Sequence, residues 1–403
     1  MATYSEQITP GERLKAPWAP WPHFDEVQIE DVAAVLRSGK VNQWTGERVW
    51  SFERQYAAYL GREHAVALMN GSVALELALK ALEIGPGAEV ITTPRTFIAS
   101  AGAAYLEGAT PVFADVDPAS GNITASTIET LINAKTKAII VVHLGGWPAD
   151  MLPIMELAKE HGISVIEDCA QAHGAMLGGR PVGSFGTVAA FSFCQDKIIT
   201  TAGEGGLIAL DDEEVWQRAW SYKDHGKSHD LAFSKDHPYG FRWLHTDFGS
   251  NWRMTELQAA VGSRQLAQLE ESTGQRNHNA AIWRSHLSPL DALRIPIVAE
   301  GDTHAYYKFY AYLRPEALKQ GWSRDRLQMS IEAAGVPVTS GSCSEIYREA
   351  AFTSRGLGPA ERLPVAKELG ELSLMFQVHP GLTQEALHEA GGIVARLVTE
   401  ATR

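Results

Sequence analysis

Residues 137–168 read KAIIVVHLGGWPADMLPIMELAKEHGISVIED. The opening KAIIVVHL is apolar without alternation, the pattern of a strand buried on both faces. The stretch 152–161 then carries its apolar residues at helical spacing, and GISVIE returns to an unbroken apolar run. A strand, a helix and a strand in so short a span require a crossover connection, and a crossover pairs its two strands in parallel. This one unit predicts an α/β fold with helices covering a mostly parallel sheet.

Working outward, the same alternation recurs. HAVALM (64–69), AEVITT (88–93), PVFADV (111–116), TVAAFSF (187–193) and GLIAL (206–210) are strand-like, and 72–82 and 126–133 have helical spacing. These elements define a large α/β domain over 25–260. Before it, residues 1–24 hold Pro17, Trp18, Pro20, Trp21 and Pro22 and are expected to form an extended arm that packs on the rest. Thr255 and Gln258 have capping-box spacing, predicting a long helix through ELQAAVGSRQLAQLEE into a second unit. There YKFYAYLR, RDRLQMSIEAAG, VPVT, SLMFQVHP and a final helix from LTQEAL onward describe a smaller α+β domain over 261–403.

Composition narrows the function. The 403 residues are 45% hydrophobic and 21% charged, ordinary values that leave no case for a disordered or coiled-coil chain. Lys plus Arg number 35 against 48 Asp plus Glu, and a net charge of -13 argues against a nucleic-acid partner. Three scattered cysteines, Cys169, Cys194 and Cys343, suit neither a disulfide framework nor a thiolate zinc site, so a reducing cytosol is the expected setting. No stretch has signal-peptide character or the ~18 apolar residues of a membrane span, and the expectation is a cytoplasmic protein without a membrane partner.

Three features fall at strand ends, where open α/β sheets place ligands. In MNGSVALELALKAL a strand ends, Asn70 and Gly71 turn, and a helix begins, aiming the amides of Gly71 and Ser72 outward as a phosphate would need; Asn70 or Ser72 serving only as a helix cap is the plainer alternative. In VIEDCAQAHGA a buried strand ends in Glu167 and Asp168, available to a ligand or equally to a cap or an arginine. In AAFSFCQDKIITTAGEGG a strand runs into Lys197 and then into Gly203, Gly205 and Gly206; a lone lysine there would ordinarily be solvated. Together they suit pyridoxal 5'-phosphate, which needs donors for its phosphate, an anion for its ring nitrogen and an amine for its aldehyde.

FSFCQDKIITTAGEGG, EDCAQAHGA, MNGSVALELAL, TPRTFIAS and FGSNWRMTELQAAVG resemble, in order and spacing, the DegT/DnrJ/EryC1/StrS family of sugar aminotransferases, which have the fold-type I architecture of pyridoxal-phosphate enzymes. The resemblance runs from PWPHFDEVQIEDVAAVLRSG to SLMFQVHPGLT. It implies that Lys197 carries the cofactor and shuttles the proton and that Asp168 pairs with the ring nitrogen. It further implies that Gln171 reaches the ring hydroxyl or its surroundings and that Phe97 stacks on the ring. Gly71, Ser72 and Ser192 would form the phosphate cup, and Asn251 would reach that phosphate from the neighbouring subunit of a homodimer with shared sites.

The implied activity is transfer of an amino group from glutamate or glutamine to a keto sugar, nucleotide-linked, for lipopolysaccharide, other surface polysaccharide or secondary-metabolite sugars. A cyclitol or other cyclic ketone is the alternative acceptor, and a pyridoxal-phosphate-binding regulator without turnover is the alternative of another class. Trp243, Trp252 and Arg253, with Arg242, could meet a nucleobase and its phosphates, or could be ordinary packing. His225 and His229 in DHGKSHD are four apart, but Gly226 between them predicts a loop, and no metal is expected.

Overall fold

The computed structural model describes residues 13–237 and 239–402, so the first twelve residues of the expected arm lie outside the described residues. Strands β1 (His64–Leu68), β2 (Glu89–Thr92), β3 (Thr110–Phe113), β4 (Thr136–Val142) and β5 (Ser164–Asp168) are followed by a small hairpin, β6 (Met176–Leu177) and β7 (Arg180–Pro181), and then by β8 (Val188–Ser192) and β9 (Gly206–Leu210). Seven of them form one sheet in the order β1-β9-β8-β5-β4-β2-β3. The pairs β2/β3, β2/β4, β4/β5 and β5/β8 are parallel. GLIAL is the exception, because β9 runs antiparallel to both β1 and β8. Its connection to β8 is a loop with no helix, so nothing carries the chain back across the sheet to start a parallel strand.

Successive strand residues face opposite layers. Val66, Ile140, Ile166 and Ala190 pack against the helices Gly71–Ala81, Ala99–Leu106 and Glu213–Lys223. Ala67, Ala189, Phe191 and Leu207 pack on the other side with Phe52 and Tyr56 of the helix Arg48–Leu60 and with Ala259. Both faces being covered explains the unbroken apolar runs.

Thr255 caps the helix Glu256–Ala267 in a capping box with Gln258. The expected long helix breaks at Gln268, and a second helix, Leu269–Leu287, leads into a four-stranded antiparallel sheet. Its strands are β10 (Leu293–Arg294), β11 (Phe309–Leu313), β12 (Val338–Thr339) and β13 (Ser373–Phe376), in the order β10-β11-β13-β12. Trp283, Leu327, Phe376 and Val394 anchor its core, with helices Arg324–Ala333 and Gln384–Ala401. Ahead of the first helix, the chain lies across this unit: Leu14 N–H donates to Ala334 O, and the amides of Lys15 and Ala16 to the Glu389 carboxylate. Among the described residues no helix is long and apolar enough to cross a membrane.

His225 and His229 do not share a helix. His225 sits at φ 62° in a turn, and His229 opens the short helix His229–Phe233.

Candidate active site

At the C-terminal edge of the sheet the helix Gly71–Ala81 points its positive end at the end of β8. Asn70 caps it, its Oδ1 accepting from Val73 N–H at 3.0 Å. The first-turn amides of Gly71 and Ser72 have no acceptor within the helix. A Cβ at position 71 would lie 2.5 Å from Ser192 Cβ and 2.9 Å from its Oγ, so only glycine lets the helix start approach Ser192. The result is a cradle of two amides and a hydroxyl suited to a phosphate. Ser192 is held from behind: His173 Nε2–H donates to its carbonyl at 2.9 Å while Nδ1 accepts from Tyr56 O–H at 2.7 Å. Burial pushes His173 down to about 3, so it stays neutral in this bridge.

Gly71→Ala is expected to weaken cofactor affinity about 5- to 150-fold, since relieving so close an approach costs about 1–3 kcal/mol. Equilibrium dialysis of the cofactor checks it, and unchanged affinity would remove the cradle from the site.

The two carboxylates that end β5 face opposite ways. Glu167 is committed to structure: its carboxylate accepts from the amides of Gly183, Phe185 and Gly186 at 2.6–2.8 Å and from His143 Nε2–H at 3.1 Å. His143 Nδ1 accepts from Ala149 N–H, so although His143, Glu167 and Cys169 lie close enough to suggest a metal, the histidine and the carboxylate have their ligand atoms engaged. Asp168 is 5% exposed. Its Oδ2 accepts from Ser100 O–H at 2.7 Å and its Oδ1 from Ala170 N–H at 3.1 Å. Burial raises its pKa against the pull of these bonds and of the nearby Lys197, a tension that a cationic ring nitrogen would relieve.

Ser100 also meets Thr96 Oγ1 at 2.8 Å, tying the turn that follows β2 to the acid. That turn carries Phe97, 68% exposed despite its size, a ring with an open face. Gln171 accepts from Gly145 N–H at 2.8 Å through Oε1, which leaves its NH₂ to donate.

Lys197 follows β8. Its Nζ lies 3.5 Å from the Tyr307 hydroxyl and 3.7 Å from Asp196, and the Tyr307 O–H itself donates to Asp196. Burial and Asp196 push the Tyr307 phenol far up, so it remains a donor. Burial opposes ionisation of Asp196, yet Lys197 and Tyr307 hold its pKa below the usual carboxylate range.

The structure thus gathers Gly71, Ser72, Phe97, Asp168, Gln171, Ser192 and Lys197 at one edge. The segment 250–254 runs beside it, with Met69 N–H donating to Trp252 O. Asn251 is exposed there. Trp252 packs on Tyr222, and Arg253 Nη1 is held by Asp224 at 2.7 Å. Trp243 stands apart, 80% exposed and packed on Phe241. Sequence reasoning missed Tyr307, Thr96 and Ser100. The last two were visible as flanks of Phe97 in TPRTFIAS, four apart.

A mostly parallel seven-stranded sheet with a smaller antiparallel unit, and an acid, a lysine and a phosphate-ready helix start at one edge, define a fold-type I aminotransferase, an enzyme whose cofactor is pyridoxal 5'-phosphate. The profile of the DegT/DnrJ/EryC1/StrS aminotransferase family matches residues 22–395, and the chain belongs to that family. It is 35% identical over 352 residues, 87% of this chain and 89% of the other, to a UDP-N-acetyl-3-dehydro-alpha-D-glucosamine 3-aminotransferase of Acidithiobacillus ferrooxidans. It is 34% identical over 350 residues, 85% and 86% of the two chains, to a 3-amino-5-hydroxybenzoate synthase of Amycolatopsis mediterranei. The crystal structure of an aminotransferase from Psychrobacter cryohalolentis superposes with a TM-score of 0.94 at 49% identity, covering 96% of this chain and all of that one.

Proposed function

We propose that this aminotransferase moves the amino group of glutamate or glutamine to a nucleotide-linked keto sugar, in the cytoplasm, for lipopolysaccharide, other surface polysaccharide or secondary-metabolite amino sugars. The observation that carries the chemistry is the buried Asp168, braced by Ser100, with Lys197 beyond the end of the neighbouring strand. The sugar acceptor is supported by the likeness to the UDP-sugar enzyme.

When bound, the cofactor supplies an electrophilic carbon for the amine and a ring that accepts electron density from the substrate carbon. The residues do the rest. Gly71, Ser72 and Ser192 would hold the phosphate, Phe97 would set the ring plane and the Gln171 amide would donate to the ring hydroxyl or its surroundings. Asp168 keeps a proton on the ring nitrogen. Lys197 would move the proton at the donor's α-carbon, with Tyr307 O–H and Asp196 beside its amine. Trp252 and Arg253 border the acceptor's path, and Trp243 stands apart from that segment.

In this reading two copies pair, and Asn251 completes the phosphate site of the partner. Exposed Tyr105 and Leu106 line one groove and give such a pairing apolar surface. An arm (1–24), a large unit (25–260) and a small unit (261–403) form each copy. A free cyclic ketone is the second reading, favoured by the likeness to the 3-amino-5-hydroxybenzoate synthase.

Incubation with glutamate is expected to release 2-oxoglutarate in a half-reaction, and the aminated enzyme then to transfer to a UDP-linked 3-keto hexose at least tenfold faster than to a free cyclic ketone. Faster transfer to the free ketone would reverse the two readings, and no release from either donor would end both.

A further inference from the structure

Lys197 is reached from the far end of the chain. Trp21 Nε1–H donates to the Lys197 carbonyl at 3.1 Å across 176 residues of sequence. Among the described residues no other donor meets that carbonyl. The lysine's own N–H donates to Cys194 O at 3.0 Å, so the backbone on both sides of the side chain is fixed, one side by its own turn and the other by the arm.

The indole sits in a slot built for it. His379 stacks on one side with ring centroids 5.6 Å apart and planes 30° apart, and the Arg276 guanidinium lies 5.0 Å from the ring centroid. Both slot residues are almost wholly buried. The nitrogens of His379 are short of partners, with only the Ala19 backbone in reach. Arg276 has one long bond, Nη1 to Tyr306 O at 3.4 Å, while its Nε and Nη2 have none. Groups so short of polar partners depend on the π faces they meet, and the indole is that face for Arg276. Burial, then Arg276, pushes His379 down to about 4, so it stacks as a neutral ring at working pH. The rest of the arm is tied to the C-terminal unit, where Trp18 Nε1–H donates to Gln377 Oε1 at 2.8 Å. The arm therefore straps the backbone of Lys197, in the loop after β8, to the C-terminal unit.

We propose that Trp21 is a positioning residue for Lys197: its indole N–H fixes the lysine's peptide plane and thereby the direction of Nζ. This rests on Lys197 being the cofactor-bearing amine. A side chain hung from a mobile peptide would spend less time aligned with the reacting carbon, a loss of rate rather than of substrate affinity.

The test compares Trp21→Phe with Trp18→Phe, each in the full-length holoenzyme. Both remove one indole N–H from the same arm, and only the first touches Lys197. In Trp21→Phe the kcat of the glutamate half-reaction is expected to fall about tenfold with KM within about twofold. The pH midpoint of the bound cofactor's visible absorbance should shift, and enzyme stripped of cofactor should recapture it several-fold more slowly. Trp18→Phe should match the wild type in all three. Should Trp21→Phe fail to fold, β-(3-benzothienyl)alanine at position 21 keeps the bicyclic shape without the N–H and is expected to show the same losses. Wild-type behaviour at position 21, or equal losses in Trp18→Phe, overturns the positioning role while leaving Lys197 in place. Full activity in Lys197→Ala would overturn both.

Discussion

Lys197→Ala is expected to leave a folded, colourless protein that performs no amino transfer. The amine that bears the cofactor and the base that moves the substrate proton are removed together, so the rate loss should be roughly 10³-fold or more. Stability should barely change. Nζ makes only long contacts, 3.5 Å to Tyr307 and 3.7 Å to a half-exposed Asp196, interactions worth about 1 kcal/mol or less. Lys197→Arg separates charge from chemistry, because it keeps a cation beside Asp196 and Tyr307 but cannot serve as nucleophile; it should be as inactive as the alanine variant. Absorbance spectra, single-turnover assays and thermal melts check the set. Activity in either variant within tenfold of wild type would place the reactive amine elsewhere.

Asp168→Asn should uncouple stability from activity. Losing the charge opposite the ring nitrogen should slow proton abstraction by about 10²–10⁴-fold, the equivalent of roughly 3–5 kcal/mol for one member of a buried ion pair. Without cofactor the outcome runs the other way. Burial raises the pKa of Asp168 above its ordinary 3.8, so its ionisation costs the folded state. Its contribution to stability is complete below the unfolded pKa and is lost as pH rises through the folded one. The melting temperature of cofactor-free wild type, relative to Asp168→Asn, should therefore fall as pH climbs upward from about 4. A difference that is flat with pH, together with an undiminished rate, would exclude Asp168 from the ring nitrogen.

How much of this was legible depended on what each residue's neighbours in sequence reveal. Asp168 stood out because strands buried on both faces are unbroken apolar runs and the residue that ends one is conspicuous, while Gly71 and Lys197, just beyond such runs, drew their roles from the motifs around them. The direction of β9 was not legible: GLIAL is apolar on both faces whichever way it points, and only the loop before it decides. The break at Gln268 carries no glycine or proline and shows only in the structure. Glu167 and Asp168 are adjacent acids whose roles differ because strand residues alternate faces, and sequence does not say which face holds the site. Tyr307 and Trp21 reach Lys197 across 110 and 176 residues, distances at which a single sequence carries no pairing signal. Arg253 offered itself as a phosphate cation; in the single chain its charge is answered by Asp224.

The central claim is that the cofactor is held covalently by Lys197, and borohydride reduction followed by peptide mass mapping tests it most directly. The account predicts one added phosphopyridoxyl group per chain, on the peptide containing Lys197. A label on Lys308, whose amine like that of Lys197 lies 4.8 Å from the Tyr307 ring centroid, or no label after saturation with the cofactor, would contradict it.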